Sequence, residues 1–172
     1  MDPRDDGVAG RGMDLILWRH AEAHDHPDPV AGRPGDAQDL ARRLTPRGEK
    51  QAARMAAWLD RQLPEGARVW CSPAMRCEQT VLPLGRKYKL SEVIAPEASP
   101  LALLELVQWP GGRSPVVVVG HQPTLGQVIA RLLGLTEDDC AVKKGALWWL
   151  RHRERAGVSR TVVVTVQTPE LT

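Results

Sequence analysis

Apolar positions along this chain fall in short unbroken runs separated by stretches of helical periodicity. Leu15-Ile16-Leu17-Trp18, the run at 67–71 and Val116-Val117-Val118-Val119 read as strands covered on both faces, the pattern of a parallel sheet. Between the first two, Ala52, Met55, Ala56, Leu59 and Leu63 recur at the spacing of one helix face. Thr45-Pro46, Ser72-Pro73 and Ser99-Pro100 each set a capping hydroxyl before a proline suited to the first helical position. They predict helices from 46 to about 63, from 73 onward, and from 100 to about 109. Pro123 predicts a fourth, running to about Gly134. Near the C-terminus, 146–150 and 161–166 are strand-like and are separated by charged residues and Gly157, which predicts an antiparallel pair. The expected fold is therefore a three-layer α/β/α architecture, with a mostly parallel central sheet and an antiparallel edge.

His24 to Asp39 is rich in Pro, Gly and Asp and has no apolar period, so it reads as a long loop of the kind that is often functional or mobile. Residues 1–12 are expected to be a flexible extension and 13–172 a single domain. A chain of 172 residues is long enough for a sizeable core. A net charge of +2 gives no general reason to bind nucleic acid or a membrane surface, so neither is expected as a partner. No apolar run approaches the roughly 18–20 residues of a membrane span, and the N-terminal residues lack the apolar segment of a signal peptide. Three cysteines, Cys71, Cys77 and Cys140, have neither disulfide-framework nor zinc-site spacing. Reduced thiols and a cytoplasmic location are the expectation, with no metal and no cofactor.

Candidate chemistry clusters where the three central strands end. Open α/β sheets bind ligands at the carboxyl ends of their strands. Here those ends carry Arg19-His20, then Ser72-Pro73-Ala74-Met75-Arg76, then Gly120-His121-Gln122-Pro123. Neighbouring strands lie about 4.8 Å apart, so the three groups can converge on one small anion. Two guanidinium forks suit phosphate oxygens, and helix N-termini near 73 and 123 add N–H donors. An imidazole with a free nitrogen can attack phosphorus to give a covalent intermediate that water then cleaves.

The segments LILWRHAEA, LTPRG, CSPAMRCEQT and VVVVGHQPTLG, in this order and spacing, resemble the histidine phosphatase superfamily, and most of all its small bacterial phosphohistidine phosphatase branch. The resemblance runs from about Met13 to the final strands. It implies a phosphoglycerate mutase-like fold and phosphatase chemistry on phosphohistidine in a phosphorelay protein. A monomer is expected, though nothing in the sequence fixes the oligomeric state. By position, His20 resembles the phosphate-accepting nucleophile. Arg19 and Arg76 resemble the arginines that bind the phosphoryl group, and His121 the second histidine that contacts it. Ser72 falls in the family's Ser-Pro turn, where it stiffens the turn or reaches the substrate, and Leu44-Thr45 with Gly48 matches a helix-opening motif. Ala21 replaces the family's usual glycine, which adds a methyl and forbids only conformations needing positive φ. Glu97 is the positional candidate for the general acid, and Glu22 is the second candidate. A weak acid favours P–N over P–O substrates, because an imidazole leaves more readily than an alkoxide. Two other functions fit the same motifs: a small-molecule phosphomonoesterase or mutase, and a non-catalytic phosphate-binding adaptor.

Other residues carry simpler readings. His24, Asp25, His26 and Asp28 are expected to be a solvated cluster rather than a metal site. Cys71 with Arg76 is one residue short of the phosphate-wrapping loop of cysteine phosphatases and lacks its glycine. Cys71 is therefore expected to be a buried strand residue. Arg42 with Arg43 are expected to be a solvated pair, the alternative being a place on the pocket's rim, and Lys143 with Lys144 a solvated strand entry, the alternative being a docking surface for an acidic partner.

Overall fold

The computed structural model describes residues 12–172. The extension expected over 1–12 thus lies outside the described residues apart from Gly12. The strands are β1 (Met13–Arg19), β2 (Arg68–Cys71), β3 (Lys89–Leu90), β4 (Val116–Gly120), β5 (Leu147–Arg155) and β6 (Val158–Gln167). The helices are α1 (Ala37–Leu40), α2 (Pro46–Gln62), α3 (Met75–Val81), α4 (Pro100–Leu106) and α5 (Thr124–Leu133). Six strands form one sheet in the order β3-β2-β4-β1-β5-β6. Pairings among β3, β2, β4 and β1 are parallel, and β5 and β6 add antiparallel strands beside β1.

Strand alternation divides the core into two halves. Ile16, Trp18, Val117 and Val119 face α2 and α3, where they meet Met55, Leu59 and Cys77. Leu15, Leu17, Val116 and Val118 face the other layer and pack with Leu103, Leu125 and Ile129 of α4 and α5. An unbroken valine run is what a central strand needs when both faces are covered. The three-layer architecture expected from the sequence is the one observed.

Several boundaries differ from expectation, each for a local reason. The Ser72-Pro73 pair does not open α3. That helix begins at Met75, because the Ser72 hydroxyl accepts from Ala74 N–H within a tight turn. α4 stops at Leu106 rather than 109, where Gln108 takes a left-handed conformation. The terminal hairpin is longer than predicted, because its charged tip is solvated strand joined through Ala156-Gly157, both at positive φ. The edge strand β3 and the short helix α1 give no apolar signal, and both went unpredicted. The loop from His24 to Asp39 is instead knitted by polar contacts. Asp28 accepts from Val30 and Ala31 N–H, and His26 pairs with Asp36, which caps α1.

The opening of α2 braces the segment after β1. Thr45 Oγ1 accepts from Gly48 N–H at 3.0 Å and donates to Glu22 Oε2 at 2.7 Å. A Cβ at Gly48 would run into the Glu22 carbonyl. Gly48→Ala is therefore expected to destabilise the fold by about 1–3 kcal/mol, read from the chemical denaturation midpoint. An unchanged midpoint would show that the segment after β1 moves aside freely.

Candidate active site

The backbone ladder brings the two histidines side by side. β1 pairs with β4 so that Arg19 lies opposite Gly120, and His20 N–H continues the ladder onto the Gly120 carbonyl at 3.2 Å. His20 and His121 follow directly, with ring centroids 5.4 Å apart. Arg76, second residue of α3, reaches between them from β2's carboxyl end. His20, His121, Arg76 and Asp39 are 7%, 4%, 4% and 3% exposed, so these charged and titratable groups sit at the bottom of a cleft rather than on its lip. The cleft has a volume of about 260 Å³, and Arg19, Arg42 and Lys144 also line it.

Each ring and fork is held from behind. His20 Nδ1 lies 2.8 Å from the Ala21 carbonyl. That carbonyl can only accept, so Nδ1 carries the proton and Nε2 keeps its lone pair. Arg76 Nε–H points at this lone pair from 3.4 Å, and its Nη2 lies 3.3 Å from His121 Nδ1. His121 Nε2 shares a 2.7 Å hydrogen bond with Ser72 Oγ. Arg19 donates from Nη1 to the Val142 carbonyl at 2.7 Å, while its buried Nε–H has no acceptor among the described residues.

Burial and the surrounding cations keep both histidines neutral. Burial pushes His20 well below the usual histidine range, opposed by the bond to Ala21 and assisted by His121, Arg76 and Arg19. Burial and then Arg76 lower His121 to about 3. The thiols are driven the other way: burial raises Cys71 strongly and Cys77 to about 12. A thiolate nucleophile beside Arg76 is therefore unsupported, and Cys71 is fully buried as expected.

The histidine phosphatase superfamily (branch 1) model matches residues 15–98. Phosphohistidine phosphatase SixA of Escherichia coli (strain K12) is 35% identical over 128 residues, covering 70% of this chain and 74% of that protein. A SixA homolog from Haemophilus influenzae is 30% identical over 138 residues, covering 71% and 78%. The chain belongs to the histidine phosphatase superfamily. A solved structure of the protein histidine phosphatase SixA complexed with tungstate shares the fold, with a TM-score of 0.68 at 24% identity over 91% of this chain and 97% of that one. Its activity class is that of a phosphatase.

Within this superfamily member, Arg19, His20, Arg76 and His121 come together in one cleft with Glu97 on its wall. Ser72 is fully buried and stands behind His121 rather than on the cleft surface. Glu97 is exposed and has a left-handed backbone, φ 66°. Glu22 is not among the lining residues, and its carboxylate is held by Thr45 at the start of α2. Ala21 is buried at negative φ, so its methyl is accommodated. Arg42 and Lys144 both line the cleft; Lys144 is exposed, as expected of a solvated charge, whereas Arg42 is half-buried and paired with Asp39. Asp39 was not foreseen at all: nothing marks one aspartate in a polar loop until α1 folds that loop over β2's end. Among the described residues, no cluster suited to a metal ion occurs.

The neutral histidines carry a pH signature. The unfolded state takes up protons near pH 6.5, whereas native His121 does so only near 3, so stability is complete above 6.5 and falls as pH drops toward 3. Within that window His121 contributes a slope of up to about 1.4 kcal/mol per pH unit. His121→Gln is expected to flatten the curve of unfolding free energy against pH between 6 and 4 by a large part of that slope. An identical slope in the variant would show that His121 is protonated in the native state.

Proposed function

We propose that this phosphatase hydrolyses phosphohistidine in a phosphorelay protein, through a phosphohistidine formed on His20. The observation that carries the reading is the state of His20. Its Nδ1–H is fixed on the Ala21 carbonyl, and its lone pair on Nε2 faces the cleft beside Arg76. A neutral, oriented imidazole needs no activation step before it attacks. The similarity to SixA supports phosphohistidine as the substrate.

His20 Nε2 attacks phosphorus in line while the bond from phosphorus to the substrate nitrogen breaks. The electron pair leaves on the substrate imidazole, which is neutral when its other nitrogen holds a proton. Arg76 exchanges its long contacts to the two histidines for charge-assisted bonds to phosphoryl oxygens. Arg19 Nε, buried without an acceptor, takes another oxygen. Arg76 can only donate, so His121 Nδ1 accepts from its Nη2 and His121 Nε2–H donates to Ser72 Oγ. Ser72 thus orients His121 from behind. Water then attacks the phosphorylated His20, releasing phosphate and restoring the imidazole. Catalysis rests on positioning and electrostatic stabilisation, the usual demands of phosphoryl transfer. The three free cysteines support a cytoplasmic setting.

Glu97 lines the cleft, and we assign it the handling of protons at the leaving group. Glu97→Gln is expected to slow hydrolysis of an alkyl phosphomonoester by about 10²-fold and to leave phosphohistidine hydrolysis within a few-fold of wild type. Equal losses on both substrates would count against this division of labour.

Rapid quench with labelled phosphohistidine protein tests the central claim. Acid-labile label should appear on His20 within the first turnover and be absent in His20→Ala, whose rate should fall by about 10³-fold or more. Faster turnover of sugar phosphates or phosphoglycerate than of the protein would favour a small-molecule phosphatase. Full cellular function in His20→Ala would favour an adaptor.

A further inference from the structure

The loop before α2 delivers one buried carboxylate to the cleft, and the mechanism above makes no use of it. Asp39 Oδ2 accepts from Gly35 N–H at 2.8 Å, and Oδ1 accepts from Arg42 Nη1 at 2.9 Å. Its own N–H is donated to Asp36 Oδ1 at 2.7 Å, so α1's cap fixes the residue from behind. On the cleft side its contacts to Arg76 are of two kinds. The backbone carbonyl accepts from Arg76 Nη1 at 2.7 Å, whereas the carboxylate meets Nη2 only at 3.3 Å.

This division leaves one edge of Arg76 uncommitted. Nη1 is anchored, while Nε and Nη2 make long contacts of 3.4 Å to His20, 3.3 Å to His121 and 3.3 Å to Asp39. The Nε–Nη2 edge is a planar two-donor fork aimed between the histidines, the geometry that binds two oxygens of one phosphoryl group. Arg42 is fixed in the same way, with Nε on the His24 carbonyl at 2.7 Å. Two guanidiniums this close repel unless an anion lies between them, and Asp39 is that anion.

We propose that Asp39 is a positioning residue of the phosphatase reaction, aiming the free edge of Arg76 at the reacting phosphoryl group and clasping Arg42 beside it. The inference rests on Arg76 as a phosphoryl-binding residue. An arriving phosphoryl oxygen displaces the 3.3 Å contact to Oδ2, and Gly35 and Arg42 remain as partners, so the carboxylate is never left bare. Burial pushes the Asp39 carboxyl up, but the bonds from Gly35, Arg42 and Arg76 outweigh it and hold the group ionised. Asp39 therefore gives and takes no proton.

A double-mutant cycle tests this with the full chain. Single-turnover rates on phosphohistidine protein and binding of inorganic phosphate by calorimetry are measured for wild type, D39N, R76K and the double variant. Circular dichroism confirms folding in each case. D39N is expected to slow turnover about ten- to a hundredfold in the wild-type background and less than threefold in R76K, because the second change removes the fork that Asp39 aims. Phosphate binding should show the same non-additivity. Equal losses in both backgrounds, or no loss from D39N, would overturn the proposal. An R76K enzyme with wild-type rate and phosphate affinity would instead refute Arg76 as the phosphoryl-binding residue and bring this inference down with it. Should D39N prove unfolded, D39E carries the same comparison, since it keeps the charge and shifts the carboxylate by one methylene.

Discussion

The site depends on one backbone register. Because Arg19 lies opposite Gly120 in the parallel pairing of β1 with β4, the next residue of each strand is a histidine at the same level of the sheet. A slip of one residue would turn Leu15, Leu17 and their neighbours from one core layer to the other. The two core halves that clamp this register, Ile16 and Trp18 against α2 and α3, Leu15 and Leu17 against α4 and α5, therefore also set the spacing of the two imidazoles. Packing far from the cleft is what holds His20 and His121 with ring centroids 5.4 Å apart.

That register creates an electrostatic problem that the loops resolve. Arg19, Arg42, Arg76 and Lys144 crowd around two buried rings. Burial, with Arg76 and Arg19 beside both rings, disfavours protonation of His20 and His121, which leaves both imidazoles with a free lone pair in the neutral range. The same cations repel one another, and among the described lining residues only Asp39 and Glu97 oppose them. The lining keeps an excess of cations over carboxylates, with Asp39 bound to two of those cations and, among the described residues, Glu97 bound to none.

The parts of this arrangement that were legible in the sequence are those with a periodic or motif signal. Valine runs announce central strands, Thr45-Pro46 announces α2, and the residues directly after two strands announce a pair of histidines. Asp39 and Arg42 carry no such signal, because their place depends on a loop whose order comes from hydrogen bonds such as His26 to Asp36 rather than from apolar burial. Lys144 belongs to a strap over α5. There Cys140 N–H bonds the Gly126 carbonyl, and Gln122 bridges Cys140 O and Gly126 N. The Ser72-Pro73 pair differs from its pattern for a related reason: the hydroxyl that resembles a helix cap closes a tight turn on Ala74 N–H and pairs with His121, and the helix starts only at Met75.

One device recurs in four groups of the cleft. Arg19 is held by the Val142 carbonyl, His20 by that of Ala21, Arg42 by that of His24 and Arg76 by that of Asp39, all at 2.7 or 2.8 Å. A carbonyl oxygen fixes a donor without cancelling its charge, whereas a carboxylate would fix and neutralise it together. Anchoring by backbone therefore orients three guanidiniums and one imidazole while leaving the cleft cationic. It also explains why this part of the site is invisible to motif reading, since any residue supplies the same carbonyl. What selects the anchor is the path of the chain, and that path is set by the α1 loop, the turn after β1 and the strap from Cys140 to Lys144.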